Sequence, residues 1–100
     1  MSGEEADVRT ILDDDAAMIT WLVSVAKETP DVYVRSPPGG VRVESRLRDD
    51  LGIDSIGRVC VFYALADRLS TDADEARAST WTTVGDVLAF IRAAAKGLGA

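Results

Sequence analysis

One hundred residues, nearly half of them hydrophobic, suit one domain with one core that needs neither disulfide nor metal. A formal charge of −6 argues against nucleic acid as the main partner, because phosphate binding needs a basic surface, and it suits partners with basic docking patches. Histidine is absent and Cys60 is the only cysteine, which excludes a Ser-His-Asp triad, a histidine metal ligand and an intrachain disulfide within this chain. The acidic N-terminus has no signal-peptide core, and no apolar run approaches a membrane span. A cytoplasmic protein that does not enter the membrane is expected.

Residues 1–7 are small, polar and acidic and are expected to fray. Val8, Ile11, Leu12, Ile19, Leu22, Val23 and Ala26 then fall at helical spacing, interrupted by Asp15. Asp13-Asp14-Asp15 reads as the acidic first turn of a helix running to about Glu28, with the residues before it forming an extension or a separate turn. Met18, Trp21 and Val25 read as core and flank. Pro30 ends this helix.

Val32-Tyr33-Val34-Arg35 and Val41-Arg42-Val43-Glu44 each alternate apolar and polar residues around the turn signal Ser36-Pro37-Pro38-Gly39-Gly40. Two readings fit equally: a small β-hairpin leaning on the helices, or an ordered loop with two apolar anchors. Both predict that Val34 or Val43 packs against the helices.

Asp50-Leu51-Gly52-Ile53-Asp54 reads as a turn that delivers Ser55 to the start of a second helix, about Ser55 to Leu69. Gly52 permits the tight turn, and Asp54 is placed to cap. A helix start offers unpaired N–H groups and a partial positive charge, so a phosphate attached to Ser55 would be favourably placed. At about 100° per residue, Val59, Phe62, Leu65, Ala66 and Leu69 share an inward arc, with Ile56 and Tyr63 at its edge. Gly57, Cys60, Ala64, Asp67 and Arg68 share the outward arc, with Val61 beside them. That outer arc carries few charges for a solvent face, which marks Gly57, Cys60, Ala64 and Asp67 as a candidate docking surface. Arg58 lies one turn after Ser55. It is within reach of a phosphate there, but pairing with Asp54 is the preferred reading.

Ser70 to Ala78 reads as a turn and a short acidic helix, Asp72 to Ala78, followed by Trp81 in the core. Thr83 and Asp86 form a capping-box-like start for a last helix that carries Val84, Val87, Leu88 and Ile91 at helical spacing and ends near Gly97 and Gly99. The expected fold is therefore all-α: a small four-helix bundle of three longer helices and one short one, with a long first loop.

The string Asp50-Leu51-Gly52-Ile53-Asp54-Ser55-Ile56 resembles the attachment site of acyl carrier proteins, whose Asp-Ser-Leu or Asp-Ser-Ile motif carries a 4′-phosphopantetheine arm on the serine. Leu47, Leu51 and Ile53 fall at that family's apolar loop positions, and Thr83-Val84-Gly85-Asp86 matches the phrase that opens its last helix. The resemblance covers roughly the last sixty residues well and the first forty poorly. It implies a discrete carrier with no catalysis of its own. A phosphopantetheinyl transferase would load Ser55 from coenzyme A, with Asp54 and Ile56 completing the motif and Asp54 orienting a metal and the serine in the transferase complex. The implied cargo is an acyl thioester in polyketide, fatty-acid or related secondary-metabolite biosynthesis. The implied partners are acyl-loading, ketosynthase-type or other acyl-processing enzymes, acting on a monomer.

Two alternatives stay open. Peptidyl carrier proteins typically show Leu-Gly-Gly-x-Ser where this chain has Leu51-Gly52-Ile53-Asp54-Ser55, which favours an acyl over an aminoacyl cargo. The other alternative is an unmodified helical module that binds a partner through the apolar face between Gly57 and Arg68.

Overall fold

Three α-helices carry the architecture in the computed structural model, which describes residues 8–95: α1 (Asp15–Glu28), α2 (Ser55–Leu69) and α3 (Val84–Ala95). Two 3-10 segments accompany them, Val8–Ile11 ahead of α1 and Glu75–Thr80 between α2 and α3. The all-α expectation of a small bundle holds. The short helix begins at Glu75 rather than Asp72, because Asp74 caps it by accepting the Ala76 N–H at 2.9 Å. No described helix is long and apolar enough to cross a membrane. The expectations for residues 1–7 and for Gly97 and Gly99 lie outside the described residues.

Of the Asp13-Asp14-Asp15 cluster expected to form the first turn of α1, only Asp15 lies in the helix; Asp14 is its cap, because its carboxylate accepts the Ala17 N–H at 3.1 Å. Met18, Leu22, Val25 and Ala26 face the core. Thr29 leaves the helix in extended conformation, as a residue before proline must, and its hydroxyl donates back to the Val25 carbonyl at 2.8 Å. α2 ends at Ser70, which adopts the left-handed conformation while the Thr71 N–H reaches the Ala66 carbonyl at 3.1 Å. α3 runs antiparallel to α1. Arg92 near its end donates to the Leu12 carbonyl and pairs with Asp15, while Val87 near its start shares a pocket with Leu22 and Ala26.

The centre is aromatic. Phe62 of α2, Phe90 of α3 and Trp81 pack with ring centroids 5.4–6.1 Å apart, in tilted or edge-on arrangements. Trp81 is buried, as its sequence context predicts.

The hairpin reading is overturned. No strand forms among the described residues, and Val32–Glu44 is an ordered loop. The physical reason is that its two alternating stretches pair with other parts of the chain instead of with each other. The Arg35 N–H donates to the Leu51 carbonyl at 2.8 Å, whereas the Val43 carbonyl accepts the Gly85 N–H at 2.8 Å. The Pro-Pro-Gly-Gly turn does form, with Gly39 and Gly40 at φ 85° and 88°. Val34 and Val41 lean on the core, while Val43, 36 % exposed, lies with its Cγ1 over Gly85 at the start of α3.

Candidate functional site

The segment ahead of α2 is braced from below. Leu47, Leu51 and Ile53 are buried, the Ile53 N–H donates to the Leu47 carbonyl at 2.8 Å, and the Leu47 N–H donates to the Thr82 carbonyl at 3.0 Å. Gly52 turns the chain at φ +76°, a conformation that disfavours any residue with a Cβ. The Arg35 guanidinium lies across this turn and donates to the Asp49 carbonyl at 3.1 Å. A rigid platform thus presents three residues in succession: Asp54, Ser55 and Ile56.

Asp54 is the N-cap, accepting the Gly57 N–H at 2.8 Å. Ser55 is the first residue of α2 and is exposed. Among the described residues nothing accepts a hydrogen bond from the backbone N–H groups of Ser55 and Ile56. These donors and the helix dipole favour negative charge at this point. An open cleft lies beside Ser55, lined by Arg58 and Val59 on α2 and by Asp74, Glu75 and Ser79 opposite.

Arg58 departs from the sequence reading. It does not pair with Asp54, whose carboxylate is engaged as the cap. Instead its Nη1 donates to the Trp81 carbonyl at 2.7 Å, and its Nη2 reaches Ser55 Oγ at 3.4 Å. Its Nε is buried and lacks a partner. The link to Trp81 spans 23 residues, so no local spacing could announce it.

The outward arc assigned to α2 is also corrected. Gly57 is buried: a Cβ there would lie 3.0 Å from Ile53 Cγ2 and 3.3 Å from Asp54 Oδ1. Val61 is buried too, and Cys60 and Ala64 are half-buried against the core, so only Asp67 of the four proposed docking residues is exposed. The apolar strip that faces outward is Ile56, 75 % exposed, and Tyr63, 53 % exposed, with Val59 and Ala66 half-buried beside them. These positions share one helical face at i, i+3 and i+7 spacing. Sequence reasoning missed Val59, Tyr63 and Glu75 as site neighbours. The Tyr63 hydroxyl donates to the Glu75 carboxylate, which ties the strip to the wall of the cleft.

No protein-family model matches this chain, and no curated protein matches it.

Proposed function

We propose that this chain is an acyl carrier protein that holds acyl intermediates on a 4′-phosphopantetheine arm at Ser55. One observation carries the reading: an exposed serine hydroxyl stands at the first position of a helix whose leading N–H groups are unpaired, at the end of a braced, glycine-turned loop. The motif resemblance of Asp54-Ser55-Ile56 supports it.

The chain acts as a substrate and support rather than a catalyst. In loading, Ser55 Oγ attacks the phosphorus of coenzyme A that bears the pantetheine. The Oγ–P bond forms, the P–O bond to the adenosine 3′,5′-bisphosphate leaving group breaks, and the serine proton passes to a base on the transferase. The arm, when bound, supplies a terminal thiol that carries the acyl group as a thioester. Asp54 keeps the helix start closed behind Ser55, so that the hydroxyl points away from the core and into the cleft.

Partners of this reading are the phosphopantetheinyl transferase and acyl-loading, ketosynthase-type or other acyl-processing enzymes. The strip of exposed Ile56 and Tyr63 with half-buried Val59 lies on the same helix as Ser55, bordered by Asp67 and Glu75. It suits partners with an apolar contact rimmed by basic side chains. Polyketide, fatty-acid or related secondary-metabolite synthesis in the cytoplasm is the corresponding setting.

Thiol titration under denaturing conditions tests the proposal, because the chain has a single cysteine, Cys60. After incubation with coenzyme A, magnesium and a broad-specificity transferase, removal of small thiols should leave a second titratable thiol per chain. A count that stays at one rejects the carrier reading and favours an unmodified interaction module.

A further inference from the structure

Arg58 is a half-buried cation with no acidic partner among the described residues. A desolvated charge is ordinarily paired, because burial without compensation is costly. Its place in the first turn of α2 adds a second unfavourable feature, since the helix dipole repels a cation there. The third is Nε, a buried donor with no acceptor. Asp54, the nearest carboxylate in sequence, is already engaged by the Gly57 N–H.

The guanidinium is nonetheless held in a defined pose. Nη1 is fixed to the Trp81 carbonyl at 2.7 Å, and the side chain borders the cleft that contains Ser55. The opposite edge, Nε with Nη2, has only the long 3.4 Å contact to Ser55 Oγ. Such an edge is what arginine uses to hold an anion, and here Nη2 is the part of it that reaches Ser55, with Nε covered behind it. The atom it approaches is the atom that would bear a phosphoester.

We propose that Arg58 is the pre-set counter-ion of the phosphodiester on Ser55, fixing the base of the arm and tying it through Trp81 to the segment that leads into α3. The inference rests on the carrier reading of Ser55. Loading converts an uncompensated cation into a paired one. It also turns the dipole from a cost at Arg58 into a gain at the phosphate. The rest of the arm then departs from a fixed point toward the cleft between α2 and the Glu75–Thr80 segment.

The test compares unloaded and loaded forms of wild type, Arg58→Lys and Arg58→Gln, with loading verified by intact mass. The quantity read is the change in melting temperature on loading within each variant, which cancels whatever the substitution does to the unloaded fold. Wild type should gain about 4 °C or more on loading. Arg58→Gln should gain nothing, and Arg58→Lys a part, because it keeps the charge and loses the fork. In wild type alone, the Arg58 Nε–H signal in 15N-resolved NMR should shift on loading, and its exchange with water should slow. This second readout does not depend on either variant folding. Equal gains in wild type and Arg58→Gln, or an Nε–H signal unmoved by loading, overturn the proposal while leaving Ser55 as the attachment point. A wild type that intact mass shows to be unloaded overturns the carrier reading, and this inference with it.

Discussion

The starts of α2 and α3 use similar residue types to opposite ends. At α3 the capping is reciprocal. The Asp86 carboxylate accepts the N–H groups of Thr82 and Thr83 at 2.8 and 3.0 Å, and the Thr83 hydroxyl accepts the Asp86 N–H at 3.3 Å. The next two donors, Val84 and Gly85, are taken by the carbonyls of Ser45 and Val43 at 2.9 and 2.8 Å. At α2 the cap is one-sided. Asp54 takes the Gly57 N–H, nothing among the described residues takes those of Ser55 and Ile56, and a cation stands one turn in. One start is closed by its own chain and contributes stability. The other is braced by buried neighbours and leaves its first two donors to solvent, as the start of α1 also does at Asp15 and Ala16 among the described residues; what α2 adds is an exposed serine and a cation one turn in.

The contrast can be broken most severely from beneath. Ile53, two residues before Ser55, is buried and packs against Gly57 in the first turn of α2. Ile53→Ala should cost about 2–5 kcal/mol in chemical denaturation and slow loading by loosening the platform. A cost as small as that of a surface substitution would mean that the loop is not braced by its apolar side.

Asp86→Ala comes next, at about 1–2 kcal/mol, since two backbone donors lose their acceptor. Its carboxyl is held below the ordinary value of 3.8, first by the Thr82 and Thr83 N–H groups. Because the folded state lowers this pKa, the contribution is complete above about pH 3.8 and is lost as pH falls through the lower folded-state value. The stability gap between wild type and Asp86→Ala should therefore be full near neutral pH and close in strong acid. A gap that widens on acidification would contradict the assignment.

Asp54→Ala sharpens the comparison. One lost bond should cost about 0.5–1 kcal/mol, less than at Asp86. Loading of the folded variant should nevertheless slow by about tenfold or more. Asp86→Ala should load at the wild-type rate. If both variants load equally well, Asp54 is only a cap.

Ile56→Glu should have the smallest effect on the fold, within about 0.5 kcal/mol, because the side chain is exposed. It should weaken transfer of cargo to a partner enzyme through poorer binding, read as a raised KM for the loaded carrier with little change in kcat. Unchanged KM in a fully loaded variant would move recognition elsewhere, to the loop arginines Arg46 and Arg48.

Local chemistry made much of this legible in the sequence. Asp54 set the start of α2 at Ser55, and Thr83 with Asp86 announced α3, whereas the Asp13-Asp14-Asp15 cluster, read as the first turn of α1, supplies only Asp15 to the helix and Asp14 as its cap. What failed was the rotation of α2 about its axis. Val59, Val61, Phe62, Tyr63 and Leu65 surround it with apolar residues, and charge marks the outer face only at Asp67 and Arg68, so periodicity alone could not separate Val61 from Tyr63. Gly57 looked like an outward small residue, yet it is glycine because Ile53 and Asp54 pack onto it. The alternating valines misled for a related reason: their partners, Leu51 and Gly85, lie far along the chain. The guanidinium of Arg58 answers to a carbonyl equally beyond local reading.

The central claim is that the incomplete helix start is an attachment site. Fragment mapping by mass spectrometry tests it directly. Wild type and Ser55→Ala are incubated with coenzyme A, magnesium and a transferase, then cleaved and sequenced in the spectrometer. Phosphopantetheine is expected on Ser55 in the wild type and nowhere in Ser55→Ala, with a Ser55→Ala fold as stable as the wild type. An unmodified wild type, or a modified Ser55→Ala protein, would contradict it.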